Sequence, residues 1–351
     1  MTYKVIQWAT GTLGSAAMQL VIDDPDLDLV GLYVYSDDKV GKDAGPLVDR
    51  PDTGVRATNK IEDILALDAD AVLYYPMLNP TTEGSDREVQ ALLRSGKNVI
   101  SIRGHRWPRW RGEDYEKGFL DACREGNSTL TGVGFHPAYI YDRIGSSLTG
   151  LVSYIRDFQF YEGFNLLSRP PHTIFEVCGM GADTARMNAD HLMIVTLTEL
   201  YTEQLACMAH DFGTTLRSVE RRVETVAANE DIEIYCGTIP KGTLEGISCY
   251  WVATLGDGTV INQNSRWFVR KIEGWDDRNV WKIKINGVPS LSMEFTLDQP
   301  DADLPPHDPL TVALGTVGVN SIPAVVAAAP GILAGPNIPV WQERYNCRFK
   351  R

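Results

Sequence analysis

Three small residues near the N-terminus have the spacing of a loop that holds a phosphate group. Residues 4–8 predict a short buried strand and residues 15–22 predict a helix, with Ala9, Gly11 and Gly14 between them. A helix N-terminus offers an anion unpaired N–H groups, and glycine lets the backbone approach closely. We therefore predict a dinucleotide-binding turn, and the alternative is a tight turn without a ligand. The residues predicted to hold the cofactor here are Thr10, Gly11, Thr12, Leu13 and Gly14.

The residues that follow the second predicted strand, 28–35, indicate which dinucleotide is bound. An acidic residue at this strand tip accepts hydrogen bonds from a ribose 2′-hydroxyl and favours NAD. Here Ser36 and Lys39 offer a hydroxyl and a cation to a 2′-phosphate, whereas Asp37 and Asp38 would repel one if they faced it. We predict NADP as the cofactor, with NAD as the alternative. An exposed charged loop is the interpretation without a ligand.

Loops after the later strands are expected to complete the cleft, because ligands bind at the carboxyl edge of a parallel sheet. Residues 75–79 are predicted to cover the cofactor, and residues 101–105 to reach its nicotinamide end. The candidates for cofactor binding in these loops are Tyr75, Pro76, Met77, Asn79 and Ile102.

Reduction of a C=O or C=N bond needs a partner for the developing charge and a proton donor. His105 and His136 are candidate donors, since histidine titrates near neutrality. Arg103 could stabilise an oxyanion or only bind a phosphate. A histidine in a loop is more often a solvated or capping residue, so each candidate also has a structural interpretation.

The order of predicted elements indicates an α/β protein. Strands and helices alternate up to residue 133, which is typical of a Rossmann-type doubly wound parallel sheet. Between residues 231 and 297, β-rich runs separated by turn signals at Asp257-Gly258 and Asn286-Gly287 predict an open, mostly antiparallel sheet in an α+β domain. The predicted division is a dinucleotide-binding domain at 1–140, an α+β substrate domain at 141–305, and a C-terminal helix and tail at 306–351 that return to the first domain.

Composition excludes several classes of partner. The net charge of −13 argues against nucleic acid, which needs clustered Lys and Arg. The 6 cysteines show neither CxxC pairs nor metal-ligand spacing, so we expect buried free thiols, no metal site and a cytoplasmic location. We also expect no signal peptide and no membrane association, since no apolar run approaches the roughly 20 residues that span a bilayer.

Four motifs together resemble the dihydrodipicolinate reductase-like superfamily, and within it the 2,4-diaminopentanoate dehydrogenase and native amine dehydrogenase group. They are residues 5–14, residues 40–45, the turn at residues 131–139, and residues 319–325 with 330–332. Only their combination is specific. Asn320 lies in the last motif and is a further candidate for cofactor binding.

The resemblance implies a homodimer whose interface is the open sheet of the second domain. It implies that NAD(P)H delivers hydride to a ketone condensed with ammonia, or that the reverse oxidative deamination of an amine occurs. The glutamate that handles ammonia in this group is absent from residues 103–108, and His136 and Ala138 replace an asparagine and a glycine. Glu176, in a glycine-rich stretch that resembles a substrate loop of the group, is the best substitute carboxylate. A carbonyl or imine reductase without ammonia use, and a non-catalytic NADP-binding sensor, are the alternatives.

Overall fold

The chain forms two compact units, each with its own sheet. A computed structural model describes residues 2–77, 83–299 and 308–334. Unit 1 is formed by the described residues of Met1–Arg143 and Gln299–Arg351, and unit 2 by Ile144–Asp298. The functional domain boundaries at residues 140 and 305 stay a prediction.

Helices and strands alternate early in the chain, and strands dominate unit 2. The strands are β1 (Tyr3–Trp8), β2 (Leu27–Tyr33), β3 (Ala57–Thr58), β4 (Ala71–Tyr74), β5 (Asn98–Ser101), β6 (Thr129–Gly132), β7 (Tyr154–Asn165), β8 (Leu216–Ala227), β9 (Ile232–Ile234), β10 (Gly237–Ile239), β11 (Leu244–Leu255), β12 (Val260–Phe268), β13 (Val280–Val288), β14 (Leu291–Thr296) and β15 (Gly331–Ile332). The α-helices are α1 (Thr12–Asp23), α2 (Ile61–Leu65), α3 (Glu83–Arg94), α4 (Glu113–Gly126), α5 (Ser146–Leu148), α6 (Leu192–Asp211) and α7 (Pro309–Ala327).

The sheet of unit 1 is parallel and has the order β15-β6-β5-β4-β1-β2-β3. Its central strands are apolar on both faces, as sheets covered by helices on both sides require. The core cluster on one face joins the sheet to α1 and α7 and includes Val5, Leu73, Val21, Val319 and Ile322. The cluster on the other face joins it to α3 and α4 and includes Ile6, Val72, Leu92 and Phe119. The predicted Rossmann-type doubly wound sheet is confirmed.

Helix α7 contradicts the expectation that no apolar segment of the chain approaches the length that spans a membrane. Within the described ranges it is the one helix that is long and apolar enough to cross a bilayer by length and composition. The pattern was missed because Asn320, Ser321 and Pro323 interrupt the apolar run. The helix packs against α1 and contacts β4, β5 and β6, and 33% of its apolar window is buried.

Unit 2 is built on an open six-stranded sheet with the order β14-β13-β7-β12-β11-β8. Only the β7–β12 pair is parallel, so the predicted mostly antiparallel sheet is confirmed. Side chains alternate between the two faces, and Phe158 and Phe160 of β7 point to the buried one. Helix α6 covers β8 and β11.

One of the two predicted turns is misplaced. Gly258 lies in the turn between β11 and β12 with a φ of 90°, as predicted. The predicted hairpin is present as β13 and β14, whose last paired residues are Ile285 and Leu291, but β13 continues through Asn286 and Gly287 to Val288, so the turn follows these two residues. A Cβ on Gly287 would lie 2.1 Å from the Tyr154 carbonyl oxygen, and the β13–β7 register shifts at this point. Glycine is therefore needed for the close approach of two strands at a bulge.

Candidate dinucleotide-binding site

The turn between β1 and α1 has the backbone of a phosphate-binding loop, although alanine occupies its first glycine position. Ala9 has a φ of 71°, in the left-handed region that glycine adopts without strain. Gln7 Nε2 donates a hydrogen bond to the Ala9 carbonyl oxygen at 2.9 Å. A Cβ on Gly14 would lie 2.3 Å from that same oxygen, so glycine is required there. Gln7 was not among the predicted residues, although a polar residue within a buried strand is a signal that the sequence contains.

The N-terminus of α1 is open to an anion. Gly11 is the N-cap residue, and no side chain caps the helix. Gly11 has an ordinary φ of −71°, and a Cβ built on it would meet no atom within 4 Å. Gly11 and Thr12 are exposed. Because the first N–H groups of a helix have no intrahelical acceptor, this end fits the pyrophosphate of a dinucleotide.

Lys39 reaches from the loop after β2 back to the phosphate-binding turn. Its Nζ lies 3.0 Å from Thr10 Oγ1 and 3.3 Å from the Thr10 carbonyl oxygen. Ser36 donates its hydroxyl to the Asp38 carboxylate, and this hydrogen bond lowers the pKa of Asp38. The structure thus brings together two of the predicted residues, Thr10 and Lys39, whereas Ser36 is directed to a neighbouring carboxylate.

The Asp43 carboxylate ties the loop after β2 together. Its Oδ1 accepts hydrogen bonds from the Gly45 N–H at 3.0 Å, the Thr53 N–H at 2.9 Å and the Thr53 hydroxyl at 3.0 Å. Its Oδ2 accepts from the Gly54 N–H at 2.8 Å. These bonds, the backbone bond from Thr53 foremost, lower the pKa of Asp43. The motif at residues 40–45 therefore has a structural explanation as the anchor of this loop.

The remaining predicted cofactor residues have different environments. Tyr75 is buried, and its hydroxyl donates to the Leu314 carbonyl oxygen of α7 at 3.0 Å. Burial raises the pKa of this hydroxyl. The Tyr75 side chain therefore belongs to the packing of α7. Of the others, Pro76 is buried, Met77 is exposed, Ile102 and Asn320 are half-buried, and Asn79 lies outside the described residues. Their contacts with a cofactor stay a prediction.

His105 lies in a buried chain of hydrogen bonds. The Arg103 N–H donates to Ser101 Oγ at 3.1 Å, and Ser101 Oγ forms a hydrogen bond with His105 Nδ1 at 2.9 Å. His105 Nε2 then donates to Asp86 Oδ1 at 2.9 Å, and the Tyr115 hydroxyl donates to the same carboxylate at 3.0 Å. Both ring nitrogens are thus bound to groups of unit 1. This geometry favours a role in ordering the loop, and a role in proton transfer stays a prediction.

The other catalytic candidates are distributed over both units. Arg103 is buried in the same loop as His105. His136 is half-buried and follows β6. Glu176 belongs to unit 2, where its exposed carboxylate lies 2.8 Å from His172 Nδ1. The structure brings Arg103 and His105 into one loop, and the catalytic roles of all of these residues stay predictions.

A cluster of aromatic residues at the carboxyl edge of the unit 1 sheet was missed by the sequence analysis. Trp8 stacks on Tyr33 with ring centroids 3.9 Å apart, and its Nε1 donates to the Tyr35 hydroxyl at 2.9 Å. The Tyr35 hydroxyl donates to Glu88 at 2.9 Å, and Tyr74 donates to the same carboxylate. Burial above all raises the pKa of both tyrosines. These residues meet only because β1, β2 and β4 are neighbours in the sheet.

Comparison with known proteins shows what the chain is similar to. An amine dehydrogenase of Streptomyces virginiae is 28% identical over 226 residues, which make up 62% of this chain and 61% of that protein. No protein-family model matches the chain. The chain thus aligns with somewhat less than two thirds of the curated relative.

Two solved structures share the fold. An amine dehydrogenase from Mycobacterium smegmatis superposes with a TM-score of 0.77 at 18% identity, covering 98% of each chain. GenD2 from gentamicin A biosynthesis, in complex with NAD, superposes with a TM-score of 0.55 at 12% identity, covering 99% of this chain and 91% of GenD2. The predicted resemblance to the amine dehydrogenase group is confirmed. None of the three proteins is a dihydrodipicolinate reductase, so membership of that wider superfamily stays a prediction.

Proposed function

We propose that this chain, which resembles the amine dehydrogenase group, is an NAD(P)H-dependent oxidoreductase acting on C=O and C=N groups. Its proposed reaction is the reductive amination of a ketone with ammonia or the reverse deamination of an amine. NADP is the proposed cofactor. A homodimer formed through the open sheet of unit 2, and a cytoplasmic location, are proposed from the same resemblance.

The observation that carries this proposal is the uncapped N-terminus of α1 behind the turn at Ala9. Three features support a bound pyrophosphate: the left-handed φ of Ala9, the close approach of Gly14 to the Ala9 carbonyl oxygen, and the open space beside Gly11. Lys39 beside Thr10 adds a positive charge near the same turn and supports a further phosphate group.

These contacts indicate which residues would hold each part of the cofactor. A bound reduced nicotinamide supplies a hydride to a carbonyl or iminium carbon. The N–H groups at Gly11–Gly14 would hold the pyrophosphate, and the Lys39 ammonium would pair with a 2′-phosphate. Asp43 fixes the loop that carries Lys39, and Gln7 fixes the turn.

Replacement of Gly11 by valine tests the cofactor site. The Gly11→Val protein should fold, because the backbone angle suits any residue and the new side chain starts in open space. We expect its affinity for NADPH to fall by at least about tenfold, which is ~1.4 kcal/mol, because valine would block approach of the phosphates. Tryptophan fluorescence titration with NADPH and with NADH measures both affinities.

Gly84 on α3 provides a matched control, since a Cβ there also meets no atom within 4 Å. Gly84→Val should bind NADPH like the wild type. Equal binding by Gly11→Val and the wild type, or no binding of either dinucleotide by the wild type, would reject the proposed site. If the wild type binds NADH more tightly than NADPH, the cofactor is NAD and not NADP.

Residues 103–108 lack the glutamate of the amine dehydrogenase group. A carbonyl reductase that does not use ammonia is therefore the competing hypothesis. Oxidation of NADPH with a cyclic ketone, followed with and without ammonium chloride, separates the two reactions. We expect an amine product that forms only with ammonium. An alcohol product formed at the same rate in both assays would show a carbonyl reductase instead.

A further inference from the structure

Glu162 is a charged residue on the buried face of the unit 2 sheet. It follows Phe158 and Phe160 in the inward-facing pattern of β7 and is 7% exposed. Its register partners are Ser265 on β12 and Trp281 on β13. A carboxylate removed from water is costly unless a cation or hydrogen-bond donors compensate it. The groups that compensate Glu162 are therefore informative.

Two indole groups hold the Glu162 carboxylate. Trp281 Nε1 donates to Oε1 at 2.9 Å, and Trp267 Nε1 donates to Oε2 at 3.0 Å. An indole N–H is a neutral donor, so the negative charge remains and each oxygen can accept a further hydrogen bond. Over the described ranges, no Lys, Arg or His forms an ion pair with Glu162.

The charge of Glu162 affects the side chains on the same face. The pKa of Tyr201 is raised well above its usual value by burial and, secondarily, by the Glu162 charge. Burial, then the nearby Cys178 and Glu162, raise the pKa of Cys249 to about 12. The Glu162 charge thus acts within an apolar interior, where its attraction for a cation is stronger than in water.

Aromatic rings pack around Trp281, one of the two residues that bind the carboxylate. The Trp281 ring lies 6.4 Å from that of Phe164 and 6.3 Å from that of Phe295, between centroids. Aromatic faces beside a carboxylate are the chemistry that recognises an organic ammonium group. Indole groups offer no lone pairs to a metal ion, so the surroundings suit an amine better than a metal. Trp267, the other donor to the carboxylate, is only half-buried.

We propose that Glu162, between Trp267 and Trp281, binds the protonated amino group of the substrate or the ammonium ion. The choice of an amine rests on the proposed function, whereas the preference for an organic cation rests on the contacts of Glu162. The carboxylate would supply the charge, and the indole rings would cover the apolar part of the ligand.

Isothermal titration with cyclohexylammonium chloride tests the site, with sodium chloride and cyclohexanol as ligand controls. The wild type should bind the ammonium form at least tenfold more tightly than cyclohexanol. Glu162→Gln, which keeps the side-chain size and removes the charge, should reduce amine affinity at least tenfold. Each titration is run with and without NADP⁺.

Glu224 provides the matched control, since its exposed carboxylate accepts a hydrogen bond from the Tyr250 hydroxyl at 2.9 Å. Glu224→Gln should bind the amine like the wild type. No preference of the wild type for the ammonium form, or unchanged affinity in Glu162→Gln, would overturn the assignment. NADPH binding by Glu162→Gln should remain unchanged, so failure of the cofactor site and failure of the amine site are distinguishable.

Trp267→Phe gives a second test that does not depend on the folding of Glu162→Gln. It keeps the carboxylate and an aromatic ring but removes one donor, which leaves the charge of Glu162 less neutralised. We expect amine affinity to rise at least threefold. An unchanged or lower affinity would show that the indole groups only pin the strands together.

Discussion

At the scale of single residues, His105 is the predicted site residue whose environment the structure defines most closely. His105→Ala would remove the bonds to Ser101 and Asp86 and leave a buried gap, so we expect a loss of about 2–4 kcal/mol in the free energy of unfolding. Urea unfolding followed by circular dichroism measures it. The exposed His172 is the control, and His172→Ala should change stability by less than about 0.5 kcal/mol. Wild-type stability of His105→Ala with turnover abolished would instead make His105 catalytic.

Local spacing predicted which residues stand out, but it could not predict their partners. Gly11 and Gly14 were identified because the phosphate-binding pattern is contained within one strand, turn and helix. The partner of His105 is Asp86, which lies on helix α3, and Lys39 contacts Thr10 across 29 positions. Such pairs depend on the order of strands in the sheet, which no local pattern contains.

At the scale of elements, α7 is held close to the sheet by a glycine. A Cβ on Gly318 would lie 2.1 Å from the Tyr75 hydroxyl oxygen, so Gly318→Ala should destabilise unit 1 by about 1–2 kcal/mol despite the better helix propensity of alanine. Thermal and urea unfolding measure the change. The added variant Tyr75→Phe removes the clashing oxygen and should recover part of the loss, since the ring carbon that carried the oxygen would still lie 3.0 Å from the new Cβ. Gly84→Ala on α3, where the Cβ is free, should be neutral or stabilising, and equal behaviour of the two alanine variants would contradict the contact.

Element boundaries were predicted less well than element types. The apolar pattern of residues 187–210 predicts one long helix. In the structure this helix begins only at Leu192, because the His191 side chain accepts a hydrogen bond from the Met193 N–H at 3.3 Å and ends the preceding turn. Apolar periodicity continues across this boundary and hides it. The turn predicted at Asn286-Gly287 was misplaced for a related reason, since a signal for a turn and a need for close strand packing select the same residue.

At the scale of the whole molecule, the class of each sheet was predictable and the strand order of unit 2 was not. Regular alternation of strands and helices before residue 133 leaves few topologies for a parallel sheet. In unit 2, β7 lies between β12 and β13, which follow it by about a hundred residues. Pairing over this separation is decided by packing, so composition predicted a sheet without its order.

The reactivity of the described cysteines shows whether each unit is folded, because both units contain buried thiols. Burial raises the pKa of Cys123 in unit 1 to about 11 and those of Cys178 and Cys249 in unit 2 to about 12, whereas Cys236 is only half-buried. At pH 8 a thiol with a pKa near 12 is only about 10⁻⁴ thiolate, the form that reacts. We therefore expect iodoacetamide to label Cys236 before Cys123, Cys178 and Cys249 in the native protein, and to label these three only after unfolding in urea, as measured by peptide mass spectrometry. Native labelling of Cys178 and Cys249 as fast as Cys236 would contradict a closed core in unit 2, while protection of Cys123 in the same sample would show that unit 1 remains folded.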